Sequence, residues 1–256
     1  MSTAATFAPA PGAAPFGRQV LAQASMEARL MLRNGEQLLL AVVIPVIVLV
    51  GGVRGAERVG LSYGVDTLAP GVLALAVMST AFTSLAIATG FERRYGVIKR
   101  LGSSPLSRTG LLVGKVLAIL AVEVMQVVVI GAVALALGWS PSPGLVGVLG
   151  FVLALVVGTA AFAALGLLVA GSLRAEATLA AANLVYLLLL AGGAVVLPAS
   201  AYGGFGEVVT WLPSGALGEA VRTALDAGSV AVKDLLVLAV WAVVGAVATA
   251  RTFSWE

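Results

Sequence analysis

The acid Glu123 lies deep inside a long apolar stretch, which makes it the first side chain to consider for chemistry. At 1.5 Å per residue it is roughly 18 Å along a helix that begins at Leu111. Gln126 shares its helix face, and Asn183 and Tyr186 repeat the same spacing further along the chain. We predict that these four side chains line a path for the polar or cationic part of an amphipathic substrate. In the alternative, Glu123 and Gln126 hydrogen-bond to neighbouring helices and hold a bundle together.

Other chemistry is restricted by what the sequence lacks. It holds no Cys and no His, which excludes thiol nucleophiles, disulfides and Cys/His metal sites. A Ser–Lys hydrolase is not supported, since Lys99, Lys115 and Lys233 lie at predicted helix edges or in loops. The stretch GLLVGKV at 110–116 is one residue short of a phosphate-binding loop, and Val116 offers no hydroxyl to Mg²⁺. We therefore expect this chain to bind no cofactor of its own.

The composition is that of an integral membrane protein, whose helices must position these side chains. Of the 256 residues, 60% are hydrophobic and 11% are charged, and the mean hydropathy is +1.08. Soluble domains average about 45–50% apolar and about 25% charged residues. Because a spanning helix needs about 20 mostly apolar residues, the sequence predicts an all-α fold with six spans. These cover residues 37–53, 68–89, 111–137, 145–170, 177–197 and 235–250.

The residues before the first span divide into two parts. Residues 1–17 have no basic start and no continuous apolar run, so we predict a flexible tail rather than a secretory signal peptide. Residues 18–34 follow the pattern of an amphipathic helix in the headgroup region, with an extension of the first span as the alternative. Its apolar positions are Leu21, Ala24, Ala28, Met31 and Leu32, and Gln19, Gln23, Glu27 and Asn34 lie largely on another side. Residues 18–256 are predicted to form a single domain.

The basic residues predict the orientation, since short cytoplasmic loops collect Lys and Arg. With the N-terminus inside, eleven of the fifteen Lys and Arg fall on the cytoplasmic side and four on the outer side. Both termini are therefore predicted to be cytoplasmic. The most basic loop, FERRYGVIKRLGSSPLSR at 91–108, then joins the second and third spans inside the cell.

This basic loop also carries apolar residues at defined places, which an orientation signal does not need. A short helix over YGVIKRLG would expose Val97, Ile98 and Leu101 at its side as an anchor for a soluble partner. The surrounding charges would then fix the register of docking. In the alternative, the loop is only an orientation signal attracted to anionic lipid.

Two segments resemble those of a known family. The residues from Glu92 to Lys115 are similar to the ERExGxLxRLxxxPLxRxxxLxGK segment of ABC-2 type transporter permeases, above all drug-efflux permeases of the daunorubicin-resistance kind. The stretch WLPSGALGEAVRTAL at 211–225 resembles the LPxxxxxEAxR segment that these permeases carry before their last helix. The chain departs from the family pattern at Arg94, where a second acid is common.

The resemblance implies one half of an exporter for drugs or lipid-like substrates in a bacterial inner membrane. In that family two six-helix permeases face each other, and each receives an ATP-binding subunit that holds ATP and Mg²⁺ on the cytoplasmic side. The loop between spans two and three is the coupling helix, an interfacial helix lies beside it, and re-entrant helices lie between spans five and six. The coupling residues implied are Glu92, Arg93, Gly96, Val97, Ile98, Arg100, Leu101, Pro105 and Leu106. The partners implied are two ATP-binding subunits, a second permease, membrane lipid and a hydrophobic substrate, with no nucleic acid.

Two other function classes stay open at this point. A proton-coupled secondary carrier would also place an acid such as Glu123 in the membrane, although the paired repeats usual in such carriers are not evident. A membrane scaffold or assembly subunit would need no substrate path at all.

Overall fold

The computed structural model describes residues 12–60, 63–101, 103 and 105–252, apart from the side chains of residues 36, 37, 39 and 40. Across these residues the chain is helical and has no strand, as predicted. Most of the predicted tail, residues 1–11, lies outside the described residues. In chain order the elements are α1 (Phe16–Arg33), α2 (Gly35–Val59), α3 (Val65–Met78), a π-helical turn (Ser79–Ser84), α4 (Leu85–Arg94), α5 (Val97–Leu101), α6 (Arg108–Ala136), α7 (Gly144–Ser172), α8 (Ala175–Gly192), a 3₁₀ helix (Ala199–Phe205), α9 (Gly206–Val209), α10 (Pro213–Leu225) and α11 (Val232–Thr252).

Five helices within the described residues are long and apolar enough to cross a membrane. They are Val65–Arg94, which joins α3, the π turn and α4, together with α6, α7, α8 and α11. Each overlaps one predicted span. The first predicted span, 37–53, falls inside α2, which continues through Pro45. Since α2 is not among the five, the count of six spans stays a prediction.

The helix Val65–Arg94 is the centre of the packing. In its most apolar window 72% of the residues are buried, compared with 17% in α8. It packs against α2, α6, α7, α8 and α10. In the π turn Phe82 meets Phe162 of α7 edge to face, with ring centroids 6.4 Å apart. The less buried candidate spans leave apolar side chains exposed, as suits a protein whose solvent is lipid.

The fifth predicted span, 177–197, extends too far. Helix α8 ends at Gly192, because Gly192 and Gly193 weaken the helix and Ala194 takes a left-handed φ of +53°. The chain then runs through two short helices to α10, which starts with Pro213 in its first turn. One face of α10 is apolar and is buried against the bundle; it comprises Ala216, Leu217, Ala220, Val221 and Leu225.

The loops gather at two ends of the bundle. At one end the α4–α6 loop meets the α7–α8 loop, where Arg93 Nη1 donates to the carbonyl of Leu173 at 3.3 Å. At the other end Gly147, near the start of α7, lies against the backbone of Ala224 in α10. Because α7 has 29 residues, these ends are about 43 Å apart. The loops assigned to one side of the membrane by charge therefore lie together.

Candidate functional site

The basic loop has the short helix that the sequence predicts. Helix α4 ends at Arg94, Gly96 reverses the chain at a positive φ of 68°, and α5 follows over Val97–Leu101. The next long helix is capped by Ser107, whose hydroxyl accepts a hydrogen bond from the backbone N–H of Gly110 at 3.1 Å. The loop is therefore a structured connection that presents one short helix.

The three residues expected at the exposed side of α5 do not lie on one face. Val97 is 38% exposed and Leu101 is half-buried, but Ile98 is completely buried, so the expectation that Ile98 is exposed is wrong. Adjacent helical residues point about 100° apart, whereas residues four apart share a face. Val97 and Leu101 therefore form the outward pair, and Ile98 anchors α5 to the bundle.

An exposed aromatic residue that the sequence reasoning did not select lies next to this pair. Tyr95 is 65% exposed and stacks on Phe91, with ring centroids 6.1 Å apart. The guanidinium of Arg94 lies 5.9 Å from the centroid of the Tyr95 ring. Tyrosine is enriched at the energetic centres of protein interfaces, so the tyrosine within the basic loop was the available signal.

The two arginines before α5 attach the loop to the neighbouring helices. Arg93 Nη1 donates to the carbonyl oxygens of Ala170 and Leu173 at the C-terminal end of α7. Arg94 forms an ion pair with Glu176 in the first turn of α8. Both contacts are favoured by the helix dipole, because the cation Arg93 lies at the C-terminus of α7 and the acid Glu176 lies at the N-terminus of α8. Arg94, where the resembling family often has an acid, thus has an acidic partner of its own.

A buried ion-pair cluster of Glu27, Glu92 and Lys115 joins α1, α4 and α6 directly behind the loop. The Nζ of Lys115 lies 2.9 Å from Oε1 of Glu27 and 2.8 and 2.6 Å from the two carboxylate oxygens of Glu92. Gln23 donates to the same Glu27 oxygen at 2.8 Å. Glu92 is therefore one of two acids that share a single ammonium group.

Helix α1 turns its polar side inward, which corrects the orientation that its pattern suggests. Gln23 and Glu27 are buried, whereas Leu21 and Leu30 are exposed. The close approach to α6 depends on Gly114, since a Cβ there would lie 2.7 Å from Cγ of Gln23. Gly114 therefore serves helix packing, and Lys115 serves ion pairing.

A cavity of about 420 Å³ opens beside the ion-pair cluster. One part of its lining is formed by the charged cluster itself, and the other part is apolar. The apolar part includes Leu85, Ala88, Ala118 and Ile119. This combination suits the charged end of an amphipathic molecule.

Inside the bundle, Glu123 and Gln126 have different neighbours. Glu123 is fully buried, and its Oε2 accepts a hydrogen bond from Oγ1 of Thr159 in α7 at 2.6 Å. Its other carboxylate oxygen has no hydrogen-bond partner among the described residues. Gln126 donates to the carbonyl of Ala41 at 2.7 Å and accepts from Oγ1 of Thr80 at 3.0 Å. Gln126 thus connects α6 to α2 and to the π turn.

The other two predicted path residues lie on α8. Asn183 is exposed and donates to the carbonyl of Leu179 in its own helix at 3.0 Å. Tyr186 is hydrogen-bonded to Ser79 in the π turn. The four predicted path residues therefore do not line one cavity within a single chain, and the π turn supplies partners to two of them. Such turns are frequent at functional sites, and its run of Ser and Thr was the signal in the sequence.

A second buried charged cluster lies at the opposite end of the bundle, around Arg222 in α10. Arg222 forms an ion pair with Glu219 at 3.1 Å. Beyond the end of the same helix, partial burial of the Asp226 carboxyl raises its pKa to about 6, with Arg222 lowering it and Asp66 raising it further. The sequence reasoning quoted this segment for its resemblance but assigned none of its residues to a site.

Comparison with known proteins gives one family. A family model described as ABC-2 family transporter protein matches residues 54–251. No curated protein and no solved structure matches the chain. The matched range includes the basic loop, the Arg222 cluster and the five candidate spans up to Arg251.

Proposed function

The chain belongs to the ABC-2 family of transporter proteins, and from this premise we propose that it is the permease subunit of an ATP-driven exporter. A separate ATP-binding subunit, present in two copies, would supply the energy and hold ATP and Mg²⁺. A second copy of this permease, or a close homologue, would complete the transporter. The cargo would be a hydrophobic or amphipathic drug or lipid-like molecule, as in the daunorubicin-resistance permeases.

The observation that carries this proposal is the shape of the α4–α6 loop. Tyr95, Val97 and the two basic residues Lys99 and Arg100 are exposed on it. The base behind them is held by Ile98, by the Arg93 contacts to α7 and by the Lys115 ion pairs. An exposed aromatic and apolar patch with a charged rim on a fixed base is suited to docking a soluble protein. These contacts would transmit a movement of the docked ATP-binding subunit to α1, α4, α6, α7 and α8.

The proposed arrangement in the membrane has six spans, with α2 as the first. Helix α1 would lie at the cytoplasmic surface, packed against α6. The loop end of the bundle and both termini would be cytoplasmic, and the helices from Ala199 to Leu225 would be re-entrant near the outer face. This arrangement is supported by the separation of the loops into two groups at opposite ends of the bundle and by the basic character of one group.

The substrate path is proposed to involve Glu123, Gln126, Asn183 and Tyr186 in the assembled transporter. The exposed position of Asn183 and the low burial of α8 support a location of this helix at the contact with a second permease. The cavity beside Lys115 would offer an amphipathic molecule a first polar contact.

Replacement of the outward apolar pair of α5, exposed Val97 and half-buried Leu101, tests the docking surface. Val97→Asp and, independently, Leu101→Asp should weaken docking at least about tenfold, because charge at the centre of an interface costs about 2 kcal/mol or more. Substrate-stimulated ATP hydrolysis by the purified complex and copurification of the ATP-binding subunit are the measurements. Val59→Asp, the same change at a more exposed valine at the end of α2, is the control. Unchanged ATPase stimulation in Val97→Asp and Leu101→Asp would contradict the proposal.

A further inference from the structure

The segment between α8 and the outer helices, which are the helices from Ala199 to Leu225, has an irregular backbone and is nevertheless buried. Residues 193–198 have no regular helix, while Ala194 and Val195 are completely buried. Ala194 holds its left-handed φ of +53° without being glycine. Buried backbone outside a helix leaves carbonyl groups that need partners from elsewhere in the fold.

Arg222 supplies those partners. Its Nη2 donates to the carbonyl of Ala194 at 2.9 Å and to that of Leu197 at 3.3 Å. Its Nη1 donates to the carbonyls of Val195 at 3.2 Å and Val196 at 3.3 Å. The planar guanidinium thus holds four consecutive carbonyl groups, which the point-like ammonium of lysine cannot reproduce.

Glu219 completes the attachment from the same face of α10. Its Oε1 accepts from Nη2 of Arg222 at 3.1 Å and from the backbone N–H of Ala199 at 2.8 Å. Gly218 lets α10 approach, since a Cβ there would lie 2.7 Å from the carbonyl oxygen of Ala194. On its other side the segment lies against Gly71 of α3.

This attachment is important because α8 is the least buried of the five candidate spans. At the loop end it is held by the Arg94–Glu176 ion pair and by contact of Thr178 with Gly90. At the other end the chain that leaves α8 is held by Arg222. Helix α8 therefore connects the basic loop to the outer helices, and between these two attachments it packs comparatively little against the rest of the bundle.

We propose that Arg222 and Glu219 are positioning residues that keep the outer end of the transport path closed by fixing the segment 193–198 between α3 and α10. The proposal rests on the proposed transport function, because a closure has a role only where there is a path. It assigns to the EAVR sequence at 219–222 the task of holding the end of α8 to α10.

The absence of cysteine from the chain allows a direct test. A thiol introduced by Val195→Cys reports on opening of the segment, and one introduced by Ala161→Cys, buried in α7, reports on general loosening. Each is combined with Arg222→Lys or with the control Arg58→Lys, an exposed arginine of α2. The purified protein in vesicles is treated with a maleimide without nucleotide, and passive leak of a small amphipathic dye is measured in parallel.

We expect Arg222→Lys to raise the labelling rate of the Val195→Cys thiol at least about tenfold, because part of the fixed bonding is lost and local opening becomes more frequent. Dye leak should rise with it, and the Ala161→Cys thiol should stay protected. If Arg222→Lys does not insert stably, Glu219→Gln should give a smaller change in the same direction.

Three results would overturn the proposal. They are unchanged labelling at Val195→Cys, an equal rise at Ala161→Cys, and a rise in labelling without any dye leak, which would make Arg222 a stabiliser of the fold alone. None of these measurements needs ATP or an ATP-binding subunit, so failure of ATP-driven transport is distinguishable from failure of this inference.

Discussion

At the scale of single residues, the ion pairs of Lys115 show what a linear sequence hides. Lys115, Glu27 and Glu92 lie on three different helices and become neighbours only when α1, α4 and α6 pack together. Lys115 looked like a helix-edge lysine and Glu27 like a surface residue. The sequence assigned Glu92 to the coupling segment by resemblance, and its ion pair with Lys115 could not be assigned from spacing.

Removal of the shared ammonium group should destabilise the protein strongly. Lys115→Met leaves the carboxylates of buried Glu27 and half-buried Glu92 facing each other without a cation, and breaking a buried pair costs up to about 3–5 kcal/mol. Glu27→Gln leaves one ion pair intact and should cost clearly less. Thermal unfolding of the purified protein in detergent is the measurement, with Lys99→Met on the exposed side of α5 as the control. A melting temperature for Lys115→Met equal to that of Lys99→Met would mean that the cluster contributes nothing to stability.

Which residues of α5 are exposed could not be predicted from the loop sequence alone. The existence of the short helix followed from the apolar residues placed among the charges of the loop. Its phase could not be derived, because Val97 and Ile98 are both apolar and either could face inward. The packing of the loop on the bundle determines that Ile98 is buried.

At the scale of elements, the hydropathy of the sequence located all five candidate spans of the described residues, but it did not locate all of their ends. The fifth window, 177–197, includes residues that leave the helix after Gly192, and four carbonyls of that segment bond instead to Arg222 on a distant helix. A long-range partner of this kind is invisible in local hydropathy. The same reason applies to α1, whose polar residues turn inward to meet Lys115.

The placement of these elements across the membrane can be tested with single cysteines, since the natural chain has none. Ser25→Cys in α1 and Ser103→Cys in the loop should react with a membrane-impermeant maleimide only after the cells are permeabilised. Arg58→Cys and Ser142→Cys should react in intact cells, because positive charge predicts the opposite side for them. Each of the four positions is exposed in the fold, so burial does not explain a lack of reaction. Labelling of Ser25→Cys and Arg58→Cys on the same side would contradict α2 as a span.

At the scale of the whole molecule, the bundle has a loop end with basic residues and an opposite end with the Arg222 cluster. The loop end contains the short helix α5, the Lys115 ion pairs and a cavity with charged and apolar walls. The central helix Val65–Arg94 runs between the ends and contains the π turn that contacts both Gln126 and Tyr186. This organisation fits a permease that receives movement at one end and releases its cargo at the other.

The central claim is that this chain moves a substrate only when a separate ATPase drives it. The most direct measurement is uptake of a fluorescent amphipathic dye into inside-out vesicles that contain the chain alone, the chain with its ATP-binding subunit, or the complex carrying Val97→Asp. The account predicts ATP-dependent uptake with the wild-type complex, loss of that uptake with Val97→Asp, and no uptake by the chain alone. Uptake by the chain alone that follows an imposed pH gradient and disappears in Glu123→Gln would contradict it and identify a proton-coupled carrier.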